Sequence, residues 1–98
     1  MIKRIVKMTF RENHIEDFKT VFKESKQYIR NFEGCHHLEL WQQTNNPSVF
    51  FTYSMWESEK HLDAYRHSEL FKTTWAKTKP LFEAKAEAWS VDGLEFLP

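Results

Sequence analysis

Residues 11 to 42, RENHIEDFKTVFKESKQYIRNFEGCHHLELWQ, change their apolar period once, and that change decides the fold. Ile15, Phe18, Phe22, Ser25, Ile29 and Phe32 fall on one stripe of a helix whose other faces are polar. Asn13 is placed to cap the first turn, with Glu16 three residues on. Gly34 stands where the helix should end, because glycine enters the left-handed region without a Cβ penalty. From Cys35 the period becomes two, with His36, Leu38 and Leu40 on one face and Cys35, His37, Glu39 and Trp41 on the other. A helix therefore leads into a strand.

The flanking sequence extends this pattern in both directions. Upstream, Ile2 to Phe10 alternates, with Val6, Met8 and Phe10 on one face and Lys3, Ile5, Lys7 and Thr9 on the other. Downstream, TNNPS (44–48) supplies turn chemistry, and VFFTYSMWE (49–57), rich in aromatic and β-branched residues, makes a strand antiparallel to the one before it. Ser58 caps a helix through Arg66, Ser68 restarts one after a bend, and Pro80 closes it. LFEAKAEAWSV (81–91) alternates again, with Phe82, Ala84, Ala86, Ala88 and Ser90 pointing one way. The order βαββαβ predicts an α+β, ferredoxin-like domain over residues 1–98, with two helices covering one face of a four-stranded antiparallel sheet.

Composition narrows the classes of function. Fourteen Lys and Arg balance fourteen Asp and Glu without charge blocks, so the electrostatic footprint of a nucleic-acid or anionic-membrane binder is missing. No stretch approaches the ~20 apolar residues of a membrane span. The opening MIKRIVKMTF has no apolar run of signal-peptide length, and the expected location is cytoplasmic. The single cysteine, Cys35, forms no intrachain disulfide and reads as a small buried residue. Two glycines in the whole chain leave no phosphate-binding loop. Adjacent His36 and His37 point to opposite faces and cannot chelate one ion, and His14, His61 and His67 lack ligand spacing; no metal is expected.

The two sheet faces differ in character. The helix-facing side takes Val6, Met8, Phe10, Leu38 and Leu40. The opposite side holds Ile5, Lys7, His37, Glu39, Trp41, Phe51, Tyr53, Met55, Lys85 and Trp89, too apolar for water and too polar for a core. A second copy of the chain, forming a homodimer, would cover it. On the helix side, Thr52 and Ser54 beside Ala84, Ala86 and Ala88 either let the helices approach closely or leave a cavity.

Together with the element order, GCHHLEL (34–40), FFTYSMWES (50–58) and HSELFKTTWAK (67–77) resemble the antibiotic biosynthesis monooxygenase domain, a dimeric α/β-barrel superfamily. The resemblance spans nearly the whole chain. It implies a dimer with a pocket between helices and sheet, and a monooxygenase that works without metal, flavin or other cofactor on a small aromatic, phenolic or quinol-like substrate. The haem-degrading branch of the superfamily does not fit. Its second-helix tryptophan position falls at Tyr65, its iron-ligand histidine position at Trp75 and its first-strand asparagine position at Val6 or Lys7. Indole nitrogen donates a hydrogen bond and does not coordinate iron as imidazole does.

His36 is the candidate base, since parity sets it on an apolar face and its pKa range suits proton abstraction; the competing reading is a histidine bonded to backbone or water near a strand end. Tyr65 is the candidate hydrogen-bonding partner of the substrate, against a purely packed ring. Phe22, Trp56, Phe71 and Trp75 would be the walls, with Thr52 and Ser54 among them; an aromatic stripe at this spacing also serves as plain core. Alternatives to the oxygenase are a non-catalytic small-molecule-binding dimer, an acid/base isomerase on the same scaffold, and a structural dimer with a filled core.

Overall fold

The computed structural model describes residues 1–98. Its elements are β1 (Ile2–Phe10), α1 (Ile15–Arg30), β2 (Cys35–Gln42), β3 (Val49–Trp56), α2 (Glu59–Arg66), α3 (Glu69–Thr78) and β4 (Phe82–Val91), with single 3-10 turns at Glu12–His14 and Lys79–Leu81. The strands form one antiparallel sheet in the order β2-β3-β1-β4. This is the ferredoxin-like arrangement, in which the hairpin partner β3 inserts between β1 and β2. No helix is long and apolar enough to cross a membrane.

Local chemistry sets the element ends. The Ser58 side chain accepts from the His61 N–H, and that of Ser68 from the Phe71 N–H, so each short helix is capped where its serine stands. Between them the chain bends at His67. Asn13 does not cap α1. A 3-10 turn occupies Glu12–His14, which makes His14 the residue before the helix, and its Nδ1 lies 2.8 Å from the Asp17 carboxylate. Gly34, with φ of +89°, turns the chain from α1 into β2, and a Cβ at this position would collide with the His61 side chain. Both the backbone angle and the contact exclude a side chain there.

Apolar side chains gather between helices and sheet in two clusters. Met8, Phe10, Ile15, Phe18 and Phe50 make the first, in which the Phe10 and Phe18 rings stack 4.1 Å apart. Cys35, Trp56 and Leu62 make the second, with Phe32 and Tyr65 packed against them. Fully burying a side chain such as Phe10 stabilises the fold by about 1.5–3 kcal/mol. The alternation of β4 breaks near its start: the register slips between Lys7 and Thr9 and again before Phe10, so Ala84 pairs with Thr9 and is exposed, while Ala86 and Ala88 stay on the helix side.

Candidate active site

Cross-strand register builds the floor of the site. One row across the sheet reads Leu40, Thr52, Val6, Ala88; the next reads Leu38, Ser54, Arg4, Ser90. Thr52, Ser54 and Ala88 in these rows are too short to fill the space beneath the helices. The result is a cavity of about 420 Å³ whose lining draws on both apolar clusters. The first helix contributes Phe18, Phe22, Ser25 and Ile29, repeating at three to four residues as a single helix face requires. From the second helical region come Leu62, Tyr65, Arg66, Phe71, Thr74, Trp75 and Thr78. The space between helices and sheet is open rather than filled.

Seven of the eight expected site residues meet in this cavity: Phe22, Thr52, Ser54, Trp56, Tyr65, Phe71 and Trp75 all line it. Their rings hold one another in place. Trp56 is almost wholly buried, and its indole N–H donates to the Ser54 Oγ at 3.0 Å. Tyr65 stacks on Trp56 with centroids 4.8 Å apart and meets Phe32 and Phe71 edge-on. Phe71 stacks on Trp75, which stands edge-on to Phe82. Burial, and then the nearby Cys35 thiol, push the Tyr65 phenol far above its ordinary value. It keeps its proton and is a hydrogen-bond donor, not a base.

His36 is not in the cavity. A bulge lies between Cys35 and His37, where β2 pairs Cys35 with Trp56 and His37 with Met55, leaving His36 as the extra residue. The alternation that sets His36 beside Leu38 therefore fails at this point, and Cys35 takes the inward position with its thiol raised by burial. The His36 side chain is exposed, with Nε2 3.2 Å from Glu57 Oε1. The other oxygen of Glu57 faces His61, 3.6 Å away, whose ring also bonds the Ser58 hydroxyl. This is a surface polar set.

The two charged residues of the lining, Arg4 and Arg66, were not foreseen from the sequence. Arg4 shares the parity of Val6, Met8 and Phe10, so its inward direction is written in the alternation of β1. Arg66 directly follows Tyr65 and stands four residues after Leu62, both of which line the space. No histidine, aspartate, glutamate or lysine lines the cavity. No group of three or more His, Cys, Asp or Glu side chains is placed to hold a metal ion.

Comparison with known proteins gives a consistent fold. The sequence pattern of the family described as "Antibiotic biosynthesis monooxygenase" matches residues 1–77. No curated protein matches in sequence. A solved antibiotic biosynthesis monooxygenase superposes with a TM-score of 0.90 at 17% identity, covering 97% of this chain and 100% of the other. A conserved protein from Methanosarcina mazei Go1 does so with a TM-score of 0.88 at 20% identity, over 92% and 89% of the two chains. A candidate antibiotic biosynthesis monooxygenase from Nitrosomonas europaea gives 0.89 at 17% identity, over 97% and 100%. At these identities the structural likeness speaks to fold alone.

Proposed function

The chain belongs to the antibiotic biosynthesis monooxygenase family, and we propose that it oxygenates a small aromatic, phenolic or quinol-like substrate without a cofactor, in the cavity between helices and sheet. The observation that carries this reading is the cavity itself: about 420 Å³, walled by rings, with the neutral Tyr65 among its lining residues. For an anthrone-type methylene, loss of a proton gives a carbanion, which passes one electron to dioxygen. The resulting radicals join in a C–O bond, and the hydroperoxide loses water to leave a carbonyl, so that R₂CH₂ and O₂ become R₂CO and H₂O.

In this scheme Tyr65 donates to the substrate oxygen that gains negative charge, and Phe22, Trp56, Phe71 and Trp75 hold the ring and exclude water. His36 has no place in it, being outside the cavity, so the substrate proton passes to water at the open side. That demand restricts the reaction to acidic, electron-rich substrates. An isomerase would need a base over the substrate carbon, and none lines the space. The same lack of a base favours, as the second reading, a ligand-binding protein without turnover.

Oxygen consumption by the purified protein with a panel of hydroquinones and anthrones separates the two. The oxygenase reading expects uptake above buffer, falling about a hundredfold in Tyr65→Phe, the scale of removing one donor to a developing oxyanion. Saturable binding with no uptake from any member would sink it in favour of the binding protein.

A further inference from the structure

The charges that face the cavity are of one sign. Apart from the neutral Tyr65, the ionisable residues lining it are Arg4 and Arg66. Arg4 is the third residue of β1, in the row between Ser54 and Ser90, and its guanidinium donates to the Ser90 hydroxyl at 3.1 Å rather than to a carboxylate. Arg66 ends α2 and is half-exposed, with Asp63 one turn back at 3.9 Å. Burial holds Arg4 below its ordinary value, and the positive charge of Arg66 lowers it further; Glu59 and Asp63 act the other way. Neither carboxylate reaches the cavity lining, and guanidinium stays protonated at neutral pH.

A half-buried guanidinium with only a serine hydroxyl as partner, next to a second guanidinium, is an incomplete arrangement. Two like charges repel, and the carboxylates that offset them, Glu59 and Asp63, stand outside the lining, so an anion inside the cavity would be favoured. The guanidinium fork matches an oxyanion with two oxygens or a single ionised oxygen, and the rest of the space accepts rings. We propose that the cavity selects an apolar, ring-bearing molecule with an anionic oxygen group, a carboxylate or an ionised enol, received by Arg4 on the sheet and by Arg66 on the rim. This rests on the cavity being a ligand site, as proposed above. An ionised enol would also supply what the oxygenase scheme lacks, since a substrate that binds already deprotonated at the reacting system needs no base in the wall; a carboxylate would not.

Calorimetric titration with two matched pairs tests the assignment: 2-naphthoate against 2-naphthamide, and 2-hydroxy-1,4-naphthoquinone, whose enol is ionised at neutral pH, against its neutral 2-methoxy analogue. The anion is expected to bind about tenfold or more tighter than its neutral partner in at least one pair, the scale of one charge-assisted hydrogen bond. A preference in the first pair alone assigns a carboxylate; in the second alone, an ionised enol. Arg4→Gln should erase the preference, with a circular dichroism spectrum and cooperative melt like the parent's showing that the variant is folded. Arg4→Lys should restore part of it. Arg66→Gln should weaken anion binding less, because its position is more exposed to water and salt. Equal binding within both pairs, or a preference that survives Arg4→Gln, overturns the anion assignment and leaves the ligand site standing. If none of the four molecules binds, both fall together.

Discussion

Tyr65 ties cavity and stability together, because its phenol is buried against Trp56 and Phe32 and keeps its proton. In the unfolded chain a tyrosine ionises near pH ~10. Above that pH the unfolded state has lost a proton that the native state still holds, so stability falls as pH rises. The slope from this one group approaches about 1.4 kcal/mol per pH unit, or a little under 1 kcal/mol at half a unit above the unfolded value. Urea unfolding at about pH 8 and about pH 10.5 should therefore show a smaller alkaline loss in Tyr65→Phe than in the parent. Equal losses would mean that the phenol is solvated. Single residues were also where the sequence was least legible. His36 reads as inward only if β2 alternates without a break, and one extra residue in the ladder sends it to the surface and Cys35 inward. Arg4 is the reverse case: its parity was plain, but an arginine on an apolar face is easily assigned to solvent, and only the small neighbours Ser54 and Ser90 reveal the room it has.

At the level of elements, period and punctuation carried almost everything. The 3.6-residue stripe of α1, the serines that cap α2 and α3, and the turn at residues 44–48 are local signals that the packed structure has no reason to override. Bulges are different, since they depend on how two strands meet, which neither strand encodes alone. The outer face of the sheet shows the other limit of local reading. Its rows are Trp41, Phe51, Lys7, Glu87 and Glu39, Tyr53, Ile5, Trp89, with Trp41 and Trp89 each more than two-fifths exposed. Leu94, Phe96 and Leu97 are exposed just beyond β4. Glu39 is already engaged by His37 and by the Trp41 indole, which holds its carboxyl below the usual range and makes it easier to cover. We propose that a second copy of the chain covers this face. Sedimentation should give twice the monomer mass, and Phe51→Glu should return it to the monomer, because a large apolar ring would be lost from the contact and a carboxylate would have to leave water. A parent protein that sediments as a monomer at tens of micromolar would contradict this.

Over the whole molecule, one decision in the sequence governs the rest. Small residues, Thr52, Ser54, Ala86 and Ala88, occupy part of the helix-facing side of the sheet, while Phe10 and Phe50 fill one end of that side and Trp56 the other. The core thereby splits into two clusters with room between them, and the stability lost from the middle is supplied at the ends. Arg4 and Arg66 are then the only charged side chains in the lining, able to tell one ligand from another by charge. The claim that this room is a ligand site is most directly tested by thermal melting with and without 2-naphthoate, in the parent and in Ala86→Trp, whose indole would occupy the space. At about a hundredfold excess over the dissociation constant, binding to the native state adds about 2.7 kcal/mol and raises the melting temperature by several degrees. The account predicts that rise in the parent and none in Ala86→Trp. An equal rise in both would place the ligand elsewhere and contradict it.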